Sequence, residues 1–230
     1  EFDKDQLVML ANPLSSDLNA MRQSLIFGGL SSVSWNINRQ NTDLKLYEFG
    51  NCYFRKNSDH DLPRADDFIE KTSLDLFISG SACRENWNQK TNPSDFFHIK
   101  SATETILNRL GIKPDTLHQD DSNKTWFSDS IAYSNNNRLI AECGRISSGY
   151  LARFDIGQDV YYSHLEWEMI LKLVRNNKIV FRELPRYPSV RRDLALLVDR
   201  NIRFRQIRDL AFRTEKNILK EVGLFDVYES

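Results

Sequence analysis

Apolar residues recur every three or four positions between residues 26 and 37, a spacing that predicts one amphipathic helix. The apolar stripe consists of Ile26, Leu30, Val33 and Ile37. Ser24 precedes the stripe at a position where its hydroxyl can cap the helix. Because the stripe is continuous, the helix must pack against another element of the fold.

Residues 44–54 alternate between two faces and carry apolar side chains on both, which predicts a central strand of a sheet. One face carries Leu44, Leu46, Cys52 and Phe54, and the other carries Tyr47, Phe49 and Tyr53. Glu48 falls on the first of these faces. A buried carboxylate is costly without donors, so we expect Glu48 to have a structural hydrogen bond or ion pair rather than a catalytic role.

The rest of the main region predicts more strands than helices. The predicted elements are a strand at 74–78, a helix at 96–110, strands at 126–133 and 139–146, a short helix at 147–154, a strand at 160–163 and a helix at 166–174. Three consecutive asparagines at 135–137 predict a hairpin turn. In the last helix, Trp167, Ile170, Leu171 and Val174 are expected to point inward. An antiparallel sheet with helices laid against it is the economical arrangement.

Gly28 and Gly29 stand side by side inside the first predicted helix, where each costs about 1 kcal/mol relative to alanine. The first hypothesis is a close contact between helices at this point. Two alternatives are a surface helix in which the glycines are merely tolerated, and a helix that begins only after Gly29.

From residue 181 onward the character of the chain changes. A segment rich in proline and arginine leads into an apolar run at 194–198, a helix from Phe204 and a run at 222–228, which together predict a β-α-β segment. Residues 182–230 hold 11 basic and 8 acidic residues, whereas the whole chain has a net charge of −1. A basic end on a mildly acidic body favours contact with an anionic partner.

Composition excludes several classes of protein. Three widely separated cysteines favour neither a disulfide framework nor a zinc ribbon, and fit a reducing cytoplasm. No apolar run approaches the length of a membrane span. The chain begins without a methionine or a signal-peptide pattern, so we expect an excised piece. His60 lies between two aspartates, but without a second ligand cluster we interpret it as a surface histidine.

Several short segments resemble the β-subunit of bacterial phenylalanyl-tRNA synthetases. They are Asn-Pro-Leu-Ser at 12–15, Met-Arg-Gln-Ser-Leu at 21–25, Glu-Phe-Gly at 48–50, Asp-Phe-Phe-His-Ile-Lys at 95–100, Gly-Arg-Ile at 144–146, and Pro188 with Arg192 and Asp193. The resemblance implies a class II aminoacyl-tRNA synthetase-like domain over 1–178 and the start of a ferredoxin-like anticodon-binding domain over 179–230.

The fold class predicted is therefore α+β, an antiparallel sheet flanked by helices and followed by an incomplete ferredoxin-like segment. A complete ferredoxin-like domain needs β-α-β-β-α-β, so the chain ends about halfway through it. The half-sheet would have exposed edges. We expect it to be poorly ordered, paired with a neighbour, or packed on the main domain.

The resemblance also implies partners and cofactors. The family pairs a catalytically inert β-subunit with a catalytic α-subunit in an α₂β₂ heterotetramer that joins phenylalanine to tRNA(Phe) with ATP and magnesium. We expect no cofactor in this fragment, no membrane and a cytoplasmic location. The predicted subunit-interface residues are Asn12, Pro13, Met21, Arg22, Gly28 and Gly29.

The catalytic machinery that the class requires is not evident. Amino-acid adenylation places negative charge on a phosphate, and the resemblance implies two arginines that stabilise it, one in a Phe-Arg-x-Glu strand and one after a glycine-rich strand. The literal match at residues 212–215 falls in a predicted helix, which we interpret as coincidence. We therefore predict no catalytic residues, and no motif for another chemistry stands out.

The candidates for RNA contact are Arg186, Tyr187, Arg191 and Arg192. Arginines can bind phosphates and tyrosine can stack on a base. The alternative is that Arg192 pairs with an acidic neighbour and Arg191 is solvated at a strand start. Two rival functions also stay open, an independent adenylate-forming ligase and a free-standing RNA-binding module.

Overall fold

The structure is a computed structural model in which the described residues are 4–15, 19–56, 64–83, 86–88, 91–175 and 187–228. The chain divides into two compact units, Glu1–Ile179 and Val180–Ser230, and this division falls one residue after the predicted boundary. Across the described ranges, no helix combines the length and the apolarity needed to cross a bilayer.

The first unit is built on a six-stranded antiparallel sheet with the order β1-β2-β6-β5-β4-β3. The strands are β1 (Leu44–Arg55), β2 (Phe68–Ser79), β3 (His118–Asp120), β4 (Phe127–Asn135), β5 (Arg138–Ile146) and β6 (Val160–Glu166). The helices are α1 (Ile26–Ile37), α2 (Phe96–Arg109), α3 (Ser148–Ala152) and α4 (Trp167–Val174). The predicted antiparallel sheet flanked by helices is confirmed.

The asparagine turn forms as predicted. β4 and β5 pair as a hairpin, and Asn136 and Asn137 adopt positive φ angles of 49° and 60°. Two consecutive residues with positive φ give the type of turn whose twist matches that of antiparallel strands. Asparagine tolerates this conformation better than most residues do, which is why the turn could be located from sequence.

Helices cover both faces of the sheet. On one face, α2 and α4 bury Ile99, Leu107 and Ile170 against the strands. On the other face, Ile26, Leu30 and Val33 of the predicted α1 stripe are buried, and the fourth member, Ile37, is partly buried. They pack with Phe77 of β2 and Leu151 of α3. One residue of α4 was assigned wrongly: Leu171 is half-exposed, because the buried side of this short helix is centred on Ile170.

β1 lies at an edge of the sheet, so its predicted central position is wrong. Within the described chain it pairs only with β2. Tyr47 is 76% exposed and Phe49 is 52% exposed, although Phe49 contacts Trp167 edge-on. The apolar pattern was real, but α2 and α4 lie over the strands beyond β1. An apolar pattern shows which faces of a strand can be buried, but it does not show how many other strands pair with it.

The two adjacent glycines have different environments. A Cβ atom at Gly29 would overlap the ring of Phe77, which is buried in the sheet, whereas one at Gly28 would meet only a carboxylate oxygen of Glu48 at 3.9 Å. The close contact is therefore between helix and sheet, and the predicted contact between helices is wrong for Gly29. The helix also begins before both glycines, at Ile26.

In the second unit, the described residues form one helix, α5 (Phe204–Thr214). The runs at 194–198 and 222–228 form no strands, and their Leu194, Leu197 and Phe225 side chains are exposed. Among the described residues the predicted β-α-β segment is therefore not formed, because a strand needs a neighbouring strand to pair with and neither run has one there. The Phe-Arg-Thr-Glu match does start in a helix, as predicted, with Phe212 and Arg213 in α5.

Substitution of the two glycines tests this packing. Gly29→Ala should lower the free energy of unfolding by about 1–3 kcal/mol, because the new methyl group overpacks the Phe77 ring. Gly28→Ala should leave it unchanged or raise it by up to about 1 kcal/mol, because Gly28 is exposed and alanine favours the helix. Urea unfolding of both variants measures the difference, and equal stabilities would contradict the contact.

Candidate functional site

An arm precedes α1, and the residue that follows the arm, Arg22, is hydrogen-bonded to β1. We define the arm as residues 7–21, of which 16–18 lie outside the described residues. Its two described segments, 7–10 and 19–21, are joined by the Leu10 amide, which donates to the Asn19 carbonyl at 2.8 Å, and by the Met21 amide, which donates to the Val8 carbonyl at 2.8 Å. Its described tip, residues 11–15, is exposed throughout, and Leu14 is 98% exposed.

Arg22 joins the end of the arm to β1. Its guanidinium forms an ion pair with Glu48, and its Nε donates to the Asn51 carbonyl at 2.9 Å. Its own carbonyl accepts a hydrogen bond from the Tyr53 amide at 2.8 Å. The predicted structural role of Glu48 is confirmed by this ion pair.

The predicted interface residues differ in their exposure. Asn12, Pro13 and Gly28 are exposed. By contrast, Gly29 is buried against Phe77. Met21 is half-buried, and Arg22 uses its guanidinium within the chain.

A row of ionisable side chains crosses the sheet on the face that α1 partly covers. The row consists of Glu48 on β1, Asp75 on β2, His164 on β6 and Glu142 on β5, which are paired in register from strand to strand. Residues in register on one face are direct neighbours. We call this set the polar row.

Hydrogen bonds satisfy the buried members of the polar row. The fully buried Asp75 accepts from the Tyr162 hydroxyl at 2.6 Å and lies 2.7 Å from Nδ1 of His164. The other ring nitrogen of His164 lies 3.5 Å from the Glu166 carboxylate. Glu142, also buried, accepts from the Ser122 hydroxyl at 2.7 Å.

Electrostatics make His164 a cation at neutral pH. Burial alone would lower its pKa, but hydrogen bonds to Asp75 and Glu166 and the charges of both carboxylates raise the pKa from its usual 6.5 to about 10. The hydrogen bond from His164 in turn lowers the pKa of Glu166. Burial and the nearby Asp75 raise the pKa of Tyr162, which therefore stays a neutral donor.

The polar row is better suited to stabilising the fold than to binding a phosphoryl group. Stabilising a phosphoryl group requires cations aimed at its oxygens. The described polar row offers three carboxylates and one imidazolium held between two acids, and Arg22 at its margin is neutralised by Glu48. In the part of the chain that is described, no group of three or more His, Cys, Asp or Glu side chains could hold a metal ion.

Most of the polar row was missed from sequence, although a signal was present. Asp75 interrupts an apolar run between Leu74 and Leu76, and His164 interrupts another. A charged residue at a position whose neighbours alternate as a buried strand requires a partner on an adjacent strand. The pairing of strands that would identify this partner could not be inferred from sequence.

The RNA-contact candidates lie in the second unit. Tyr187 is 84% exposed and Arg192 is exposed, whereas Arg186 lies outside the described residues. The Arg191 side chain lies 3.3 Å from the Asp193 carboxylate and above the Phe225 ring. Among the described residues, the acidic neighbour that the alternative gave to Arg192 thus lies beside Arg191.

Comparison with protein families gives two matches. Residues 1–167 match the model described as the phenylalanyl tRNA synthetase beta chain CLM domain, and residues 185–230 match the ferredoxin-fold anticodon binding domain. Similar proteins include phenylalanine–tRNA ligase beta subunits from Bacteroides thetaiotaomicron, 40% identical over 99% of this chain, and Porphyromonas gingivalis, 36% identical over 98%. The chain spans 28% of the length of each of these two relatives.

Among solved structures, the chain is similar to pyrrolysyl-tRNA synthetase from Desulfitobacterium hafniense. The TM-score is 0.52 at 15% sequence identity, and the match covers 74% of this chain and 53% of that one. A second structure of a pyrrolysyl-tRNA synthetase from this organism gives a TM-score of 0.50 at 13% identity. At these identities, the likeness shows the fold alone.

The pKa of His164 predicts how stability depends on pH. The native protein keeps a proton on His164 that the unfolded chain releases above about pH 6.5, so this contribution is complete below pH 6.5 and is lost as pH rises towards about 10. The free energy of unfolding from urea titrations should therefore fall over this range. His164→Gln should flatten the decline, whereas the exposed control His118→Gln should keep it. Equal slopes in all three proteins would contradict the assignment.

Proposed function

Because the chain belongs to the family of phenylalanyl-tRNA synthetase beta chains, we propose that it supports the charging of tRNA(Phe) as a non-catalytic part of that ligase. Its first unit would assemble with the catalytic α-subunit in an α₂β₂ heterotetramer in the cytoplasm. Its second unit would contact the tRNA. The complete ligase would use ATP and magnesium to join phenylalanine to tRNA(Phe), and both would be bound outside this chain.

The polar row is the observation that carries the non-catalytic assignment. An adenylate formed on this face of the sheet would meet Asp75 and Glu142, whose charge disfavours the phosphate. Arg22, at the margin of the row, is paired with Glu48. The same charges argue against an independent adenylate-forming ligase on this sheet.

The arm supports assembly with another subunit. Its tip presents Leu14 almost fully to solvent, and Met9 and Leu10 are also substantially exposed. Apolar side chains concentrated on an exposed segment favour a protein partner over open solvent. Asn12 and Pro13 lie in the same exposed tip, next to Leu14.

The second unit supports contact with RNA. Residues 185–230 match an anticodon-binding fold, and the exposed Tyr187 and Arg192 are residue types that stack on bases and bind phosphates. Asp193 lies beside Arg191, and its negative charge reduces the attraction of Arg191 for an RNA phosphate. We therefore expect Arg192 to contribute more than Arg191 to tRNA affinity.

Substitution at the arm tip tests the assembly role. In the full-length β-subunit, Leu14→Asp should weaken association with the α-subunit about tenfold or more, because a charge would replace an apolar contact. Trp87→Asp is the matched control, since Trp87 is 96% exposed elsewhere in the unit. Titration of the purified subunits measures both affinities. Unchanged affinity for the Leu14 variant would remove the arm tip from the interface.

Substitution of Arg192 tests the RNA role. In the assembled ligase, Arg192→Ala should weaken tRNA(Phe) binding and reduce the dependence of log K on log salt by about 1, as loss of one phosphate contact requires. The control Lys113→Ala removes an exposed cation from the first unit and should change neither quantity. Filter binding at several salt concentrations measures both. A variant that retains the affinity and the salt dependence would exclude this contact.

A further inference from the structure

We infer that Arg22 is a positioning residue: it fixes the end of the arm on β1 and so holds the arm tip in the orientation that the partner subunit binds. The inference rests on the proposed function, because it assumes that the tip meets the α-subunit. It differs from the sequence-based assignment, in which Arg22 itself belonged to the interface.

Three contacts at one residue carry this inference. The guanidinium engages both a side chain and a backbone carbonyl of β1, Glu48 and Asn51, while the Arg22 carbonyl accepts from the Tyr53 amide. The side chain and the main chain of Arg22 therefore hold the same short stretch of β1. A residue that served only to end the arm would need neither a guanidinium that binds two groups of β1 nor the Glu48 carboxylate as its partner.

Gly50 shows that the strand accommodates this contact. A Cβ atom at Gly50 would overlap Nη2 of Arg22, so the guanidinium occupies the space that a side chain would fill. Glu48 in turn lies beside the first turn of α1, with its Oε2 atom 3.9 Å from the Cβ position of Gly28. The ion pair thus touches β1 and α1 at the point where the arm ends.

The Arg22–Glu48 ion pair should contribute more to the position of the arm than to the stability of the fold. The ion pair is substantially exposed, with 44% of the Arg22 side chain and 34% of the Glu48 side chain accessible. Exposed pairs of this kind contribute little to the stability of a fold. Arg22→Ala would remove both guanidinium contacts and keep the main-chain bond to Tyr53, so it should loosen the end of the arm and leave the sheet intact.

The experiment uses the full-length β-subunit and the α-subunit. Arg22→Ala should weaken association about tenfold and leave the urea midpoint of the free β-subunit nearly unchanged. Arg22→Lys should recover little, because an ammonium cannot bind the carboxylate and the carbonyl together in a planar fork. The reversed pair, Arg22→Glu with Glu48→Arg, should recover part of the affinity that either single change removes.

Limited proteolysis gives a second measurement on the free β-subunit. Arg22→Ala should increase cleavage within residues 7–21, whereas the control Arg109→Ala, at the end of α2, should change neither cleavage nor association. A loss of urea stability that accounts for the whole loss of association, with no recovery in the reversed pair, would overturn the inference.

Different results would contradict the two hypotheses, that Arg22 positions the arm and that the arm tip contacts the α-subunit. If Leu14→Asp weakens association and Arg22→Ala does not, the inference about Arg22 is wrong and the proposed interface stands. If neither change weakens association, the arm is not part of the interface and the proposed assembly role of the arm fails. If both weaken it and the reversed pair restores it, both are supported.

Discussion

The buried carboxylate of Asp75 imposes the strictest constraint on this sheet. A charge with no access to water must find donors, and only the register of β2 on β6 brings the Tyr162 hydroxyl and the His164 ring to it. A slip of one residue would turn Asp75 towards the apolar face beneath α2 and α4. Hydrophobic alternation and the polar row therefore specify the same register.

Local patterns predicted local structure well. The stripe of α1, the span of α2 and the asparagine hairpin each follow from residues close together in sequence, and the family resemblance is confirmed by the match over residues 1–167. The failures concern distant partners. The edge position of β1 depends on which strands lie beside it, and the space at Gly29 depends on Phe77, 48 positions further along the chain.

The candidate site shows the same difference between local features, which sequence could predict, and contacts between distant residues, which it could not. The Asn-Pro-Leu-Ser segment could be located by its resemblance, but its exposure depends on the arm geometry, which sequence did not supply. The polar row could not be assembled because its members come from four strands. In the second unit, the helix was predictable from its own periodicity. The flanking strands were not formed, because strand pairing depends on partners rather than on propensity.

The exposed side of β1 has a consequence for handling the chain in isolation. An edge strand with free backbone groups and aromatic side chains is a template on which other chains can add strands, and natural proteins usually block such edges. Here Arg22 is hydrogen-bonded to β1 at Asn51 and Tyr53. On the preceding half of the strand, Tyr47 is largely exposed and Phe49 is half-exposed. Self-association and aggregation of the separated fragment should therefore begin at the first half of this strand.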